Sequence, residues 1–310
     1  MSQFAAKSTL PTQYDIYPFI EPSRFIGKLK GTVAVVTGAG RGIGRAAALA
    51  FASSGASVAC VARRHDDLEA VVAEIKQKHG SAAMAVVADI SAPDSPKRII
   101  EDVEKILGPI DILLNCAGMT RFGTLVAEPD FNTWWRLLEV NLRGPVALIH
   151  AVLPSMIARK TGVVMTVTST SGSQDIPFNT AYATSKAAVI KFHQDLSVEI
   201  ERHGILSFSV HPGTVATDLG QVSSAINMDS VKEEPGMQEM LEAFQNLKYQ
   251  TTELAANSFV ALCADERCKT MNGRYIDSEQ DLGEVIKEAE KGGKGRVIIE
   301  RLYHLKVDEL

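Results

Sequence analysis

From Thr32 onward the chain alternates short apolar runs with stretches of helical period. "TVAVVTG" (32–38), "SVACVA" (57–62), "AAMAVVAD" (82–89), "IDILLNCAG" (110–118), "GVVMTVTS" (162–169) and "LSFSVHPG" (206–213) are apolar runs rich in β-branched residues. Runs of this kind suit strands buried on both faces, because a half-exposed strand would alternate apolar with polar. Between them lie helical stretches at 44–54, 94–107, 131–158 and 180–203, and Leu68, Val71, Val72 and Ile75 recur at helical spacing. Strands alternating with helices of this length imply right-handed crossovers and a parallel sheet with helices on both faces. The pattern predicts an α/β fold, a single Rossmann-type doubly wound domain over residues 29–280.

The rhythm fails at two places. Residues 217–255 form a polar, Met-containing segment, after which 255–262 reads as a helix, "GRYID" (273–277) as a last strand and 281–292 as a helix. Residues 1–28 lack periodicity but carry Tyr14, Tyr17, Phe19 and Phe25 among three prolines. That aromatic density predicts an arm packed on the body, with a disordered leader as the alternative. The C-terminal extension, 281–310, contains "RVIIERLYHL", which is apolar enough to dock. No internal repeat or low-complexity stretch interrupts the chain.

Composition narrows the class. A hydrophobic share of 45% with 22% charged residues is ordinary for a globular protein. The net charge of −5 gives no basic footprint for nucleic acid. Cys60, Cys116, Cys263 and Cys268 form no CxxC pair, so reduced thiols are expected. The apolar runs break before about 18 residues, so no membrane span is expected. The N-terminus shows no charged and then apolar leader, which argues against secretion, and a cytoplasmic location is expected. The final "VDEL" matches an ER-retention pattern but is set aside without an entry signal.

Ligands of doubly wound sheets bind beyond the carboxyl ends of the strands, so chemistry is sought just after each apolar run. "TGAGRGIG" (37–44) leaves the first strand and enters a helix. Its glycines permit a tight turn and let a pyrophosphate approach free N–H groups at a helix N-terminus. In "YATSK" (182–186), Tyr182 and Lys186 lie four apart and share one helix face. A nearby ammonium is expected to lower the phenol's pKa from about 10 and ready Tyr182 for proton transfer. Alone, YxxxK is common enough to be a solvated face; thirteen residues after a serine at a strand end, it is a catalytic candidate. The histidines show no ligand spacing and no metal is assigned; His211, beside Pro212, reads as positional.

The order and spacing of these motifs resemble the classical short-chain dehydrogenase/reductase family over roughly residues 29–277. The glycine string has the spacing TGxxxGxG, and "NCAG" (115–118), Asn141 in "VNLRGP", YxxxK and "PGTVAT" (212–217) follow in sequence. The resemblance implies a catalytic set of Asn141, Ser169, Tyr182 and Lys186. Ser169 is chosen because it lies three residues before Gly172 and thirteen before Tyr182, with Ser171 as the alternative. Ser169 would steady the developing alkoxide, and Asn141 would hold a water linking Lys186 to a proton relay, or else bond to nearby backbone. Lys186 and Tyr182 would also touch the nicotinamide ribose side. Gly38, Arg41, Gly42, Ile43 and Gly44 would cradle the cofactor. Asp89, with Ile90 beside it, would accept from the adenine amino group, unless it is only a helix N-cap. Asn115, Ala117 and Gly118 would line the adenosine side. The loop of Pro212, Gly213, Val215 and Thr217 would hold the carboxamide.

"CVARRHDD" (60–67) bears on which cofactor. An acidic residue about 20 positions past the glycines marks NAD, yet that slot holds Ala62, Arg63 and Arg64. By resemblance, Arg63 and Arg41 would grip a ribose phosphate, bidentate recognition that guanidinium suits. Asp66 and Asp67 fit the first turn of the next helix, where negative charge is favourable. The cofactor expected is NADP(H). The implied function is a carbonyl reductase or alcohol dehydrogenase, with a small-molecule substrate, a lid over about 218–250, and homodimers or homotetramers through 131–158 and 180–203. The arm and tail resemble fungal members, many of which serve secondary metabolism. A non-redox step such as elimination, epimerisation or cyclisation, or a regulatory nucleotide-binding module, are the other readings; retention of Ser169, Tyr182 and Lys186 speaks against both.

Overall fold

The computed structural model describes residues 10–217, 219, 225–300 and 302–305. The "VDEL" tail, the first nine residues and much of the start of the expected lid lie outside the described residues. Among the described residues, seven strands make one sheet: β1 Val33–Thr37, β2 Ser57–Ala62, β3 Ala83–Val87, β4 Ile112–Asn115, β5 Gly162–Val167, β6 Ile205–His211 and β7 Tyr275–Asp277. Their order is β3-β2-β1-β4-β5-β6-β7, and every pairing is parallel. Chain order reverses between β1 and β4, where Val36 pairs with both Cys60 and Leu114. Such a switch point opens a crevice at the strand ends.

Alternation along β1 builds two cores. Ala34 and Val36 face one core, with Ala47 and Phe51 of α1 (Gly42–Ser53), Leu68 and Val71 of α2 (His65–His79) and Phe259 of a helix past β6. Val33 and Val35 face the other, with Ile99 of α3 (Ser95–Leu107), Leu148 and Val152 further on, and Leu196. Between β4 and β5, α4 (Phe131–Leu138) and α5 (Gly144–Arg159) run together through a π-helical turn, Glu139–Arg143. The continuous span Phe131–Arg159 has 29 residues and contains an 18-residue window of mean hydropathy 1.3, long and apolar enough to cross a membrane. The sequence places this helix at 131–158 but counts no run long enough to span a membrane; its apolar side, including Leu137, Val140, Leu148 and Val152, is buried in this fold. α6 (Thr180–Ile200) follows β5.

The segment left without elements holds two helices, α7 (Met228–Glu233) and α8 (Pro235–Gln245). Their signals are local. Asn227 caps α7 by accepting from the N–H groups of Asp229 and Ser230, and Pro235 opens α8 at its first turn. Next comes α9 (Thr252–Ala264), capped by Thr251 and longer than the sequence reading at both ends. After β7, α10 (Leu282–Glu290) and the short α11 (Arg296–Ile299) complete the described chain. Residues 10–28 lie against this region: Tyr17, Phe19 and Phe25 are buried, and the Tyr17 hydroxyl donates to Gln280 O (3.1 Å) and accepts from Leu282 N (3.0 Å). All four cysteines are free thiols.

Candidate active site

The carboxyl ends of β1, β2, β4, β5 and β6 open into one cleft of about 990 Å³. At its floor the glycine turn is packed backbone to backbone. A Cβ at Gly44 would stand 2.3 Å from Gly38 O, and one at Gly38 would stand 2.9 Å from Ala117 N. Gly38 and Gly42 also hold φ of +70° and +54°, which L side chains avoid. Arg41, the N-cap of α1, supplies no side-chain acceptor, so the first-turn N–H groups remain available to an anion. The turn therefore fits a pyrophosphate. Ile43, Ile90, Ala117 and Gly118 line the same cleft.

On the facing wall, β5 and α6 bring Ser169, Tyr182 and Lys186 together. A Cβ at Gly172 would meet Ala187 N at 2.7 Å, so this glycine lets the serine turn press onto α6. Ser169 donates to Ser171 Oγ (3.2 Å) and contacts the Tyr182 hydroxyl; both serines face the cleft. Lys186 Nζ lies 5.3 Å from the centre of the Tyr182 ring and donates to Val167 O at 2.8 Å. Asn115 and Asn141 stand behind this wall. Asn115, only 1% exposed, turns its amide inward toward Thr166 Oγ1 (3.4 Å), so its side chain does not line the cleft. Asn141 projects from the π turn and clamps the Met119 backbone, accepting from its N–H and donating to its carbonyl, both at 2.8 Å. Its amide also donates to Ser185 Oγ (3.1 Å), tying the loop after β4 to α6.

At the other end of the cleft Arg41, Arg63 and Arg64 are cleft-lining, and Asp67 is too. Asp66 and Asp67 do lie in the first turn of α2, but the sequence reading set Asp67 apart from the cofactor slot. The fold instead puts its Cβ 3.0 Å from where a Cβ on Gly40 would be, and Arg64 pairs with its carboxylate. Asp89 likewise has neighbours that the sequence did not indicate: Ser91 N (2.9 Å), the Ser91 hydroxyl and Arg136 (2.8 Å). Burial would raise its carboxyl, but those partners and the charge of Arg63 together hold it below the usual range.

The loop after β6 is braced from outside the sheet. Thr214 N donates to Gln250 Oε1 (2.8 Å) and Glu279 Oε1 (3.1 Å), while Val215 bridges to Gln250 and Thr217 packs at the Gly42 turn. The arm supports this brace, since Thr251 N donates to Tyr14 O at 3.0 Å. Pro212 and Gly213 line the cleft here. His211, read as positional, meets Asp277 and Glu279, their ligand atoms all within 4.8 Å of one another. Its Nε2 is 3.5 Å from Glu279 Oε1, and the same carboxylate oxygen reaches the loop through Thr214 N. Above the catalytic wall, Phe122, Ile176, Ile226, Leu241 and Phe244 form an apolar mouth, with Phe122 and Phe244 edge to face at 5.6 Å.

Residues 32–227 match the family model described as short chain dehydrogenase. The chain belongs to the short-chain dehydrogenase family. A short chain dehydrogenase of Pseudocercospora fijiensis is 49% identical over 298 residues, covering 96% of each chain. The short chain dehydrogenase pigC of Monascus ruber is 31% identical, over 88% of this chain and 86% of its own. Among solved structures, L-sorbose reductase from Gluconobacter frateurii, complexed with NADPH and L-sorbose, superposes with a TM-score of 0.70 at 27% identity, over 82% and 97% of the two chains. The protein is thus an oxidoreductase of a family that uses a nicotinamide cofactor on small molecules.

Electrostatics of this dehydrogenase differ from the sequence expectation. Burial, not the lysine, dominates at Tyr182 and pushes its phenol up to about 12, against the hydrogen bond with Ser169. The same burial pushes Lys186 down to about 8. At neutral pH both therefore hold their protons, the state of a proton donor backed by a cation. Cys116 is pushed up to about 12 by burial and adds no charge beside Lys186.

Proposed function

We propose that the enzyme is an NADP(H)-dependent carbonyl reductase acting on a hydrophobic, ring-bearing ketone of secondary metabolism. The observation that carries this reading is the convergence of Ser169, Tyr182 and Lys186 between an apolar mouth and a basic cofactor end. When bound, NADPH supplies a hydride to the carbonyl carbon. The chain's own residues do the rest: Ser169 holds the carbonyl oxygen, Tyr182 delivers a proton to it, and Lys186 steadies the phenolate left behind. Arg41 and Arg63 bind the ribose phosphate, and Phe122 and Phe244 exclude water from the reacting face. The enzyme works in the cytoplasm as a homodimer or homotetramer, with Phe131 (61% exposed), Trp135 (50%) and Val198 (78%) on its contact faces.

Initial rates of NADPH and NADH oxidation over a panel of bicyclic aromatic and aliphatic ketones test this. NADPH-dependent reduction of aromatic members is expected; absence of turnover with either cofactor across the panel would overturn it. The acid–base assignment has its own signature. Lys186 is charged below about pH 8, and that charge stabilises the phenolate. Reduction kcat/KM should therefore be level below this pH and fall by about tenfold per unit above it. A profile that rises through the same range contradicts the assignment.

A further inference from the structure

The cleft carries polar atoms that the reaction above does not use. Asn179 is 2% exposed, lines the cleft one helical turn before Tyr182, and its Oδ1 has no hydrogen-bond partner. It is the N-cap residue of α6, yet its side chain makes no capping bond. Asparagine at that position normally turns to accept from its own helix. The residue before it, Phe178, holds φ of +62°, a conformation rare for a bulky side chain. Gly123 N donates to Phe178 O at 2.8 Å and pins that backbone. Thr120, on the loop after β4, lines the same cleft, is 8% exposed, and its Oγ1 is also buried without a partner. The Asn141 clamp on Met119 fixes the backbone immediately before it.

Buried polar atoms in folded proteins are nearly always paired, so unpartnered ones on residues that line a ligand cleft point to a ligand's polar group that completes the bonding. We propose that Asn179 and Thr120 form a hydroxyl-recognition subsite, and that the ketone carries an alcohol or phenol group apart from the reacting carbonyl. The ligand O–H donates to Asn179 Oδ1, and its oxygen accepts from the Thr120 hydroxyl. This rests on the carbonyl-reductase reading and sharpens it: the substrate is a hydroxylated ring ketone, not a bare one. A site built around a hydroxyl rejects the analogue that lacks it, because its own groups are then left buried and unpaired.

The probes are 1-tetralone and its 5-, 6- and 7-hydroxy derivatives, followed by NADPH oxidation and by equilibrium binding through tryptophan fluorescence. At least one hydroxylated member is expected to surpass the parent by about tenfold or more in kcat/KM and affinity. Asn179→Leu, of similar volume, should remove that preference while keeping turnover of the parent ketone. Thr120→Val, away from the helix start, should weaken it independently and guards against a folding defect in the first variant. Equal rates and affinities for all four ketones overturn the subsite while leaving the reductase reading intact, and so does an unchanged preference in both variants. Preferential binding of a hydroxylated member without any turnover keeps the subsite and sinks the redox reading. Failure of every probe to bind overturns the subsite as well.

Discussion

Tyr182→Phe is expected to lower kcat for carbonyl reduction by about 10³-fold, the scale of a lost general acid, while cofactor binding is largely kept. Few other groups can take over. Ser169 contacts the same hydroxyl but is a far weaker acid, and Lys186 is directed to Val167 O at 2.8 Å. Because burial holds the phenol near 12, the wild-type residue enters the reaction protonated at neutral pH. Removing one hydroxyl thus removes the proton, with the ring still packed under Lys186. Stopped-flow or steady-state rates with the variant, alongside cofactor fluorescence titration, separate chemistry from binding. Equal turnover by wild type and variant would show that the proton comes from elsewhere.

The second large effect concerns the ribose end. Arg63→Ala with Ala62→Asp should move the ratio of kcat/KM for NADPH over NADH toward NADH by about 10²-fold or more. A charge-assisted hydrogen bond contributes about 1.5–3 kcal/mol, and each 1.4 kcal/mol is about tenfold. The new carboxylate adds repulsion toward a phosphate and an acceptor for a ribose hydroxyl. Asp67 makes the outcome informative, since it lies beside Gly40, as Ala62 does, and is paired with Arg64. If the double variant keeps its NADPH preference, Arg41 and Arg64 hold the phosphate and Arg63 is peripheral.

Much of the site was legible because it depends on short-range order. The glycine turn, the strand ends and the Tyr182–Lys186 spacing are set by neighbours a few residues apart, so periodicity and motif spacing place them. Buried strands announce themselves as apolar runs, and parallel pairing follows from the helices between them. Even α7 and α8 had local signals, in Asn227 and Pro235, that polarity and the absence of a clean apolar period obscured. The long helix was legible as 131–158, although Asn141 and Arg143 interrupt its apolar run at the π turn.

Only the tertiary structure could decide the rest. Whether Tyr182 is raised or lowered depends on how much water the surrounding elements remove, and one lysine four residues away does not reveal that. Asp67 reads as a helix-start residue until α2 folds back onto the glycine turn. Asn179 drew no notice in the sequence; it starts α6 without a side-chain cap bond, after a Phe178 of positive φ whose carbonyl accepts from Gly123 N, 55 positions earlier in the chain. By itself, the sequence determined the sheet, the glycine turn and which residues are candidates for chemistry, since each is encoded by local period and spacing. The tertiary structure alone decided their protonation, the neighbours of Arg64 and Asp89 and the unpartnered polar atoms of Asn179 and Thr120, because burial and long-range contact are properties of the assembled fold.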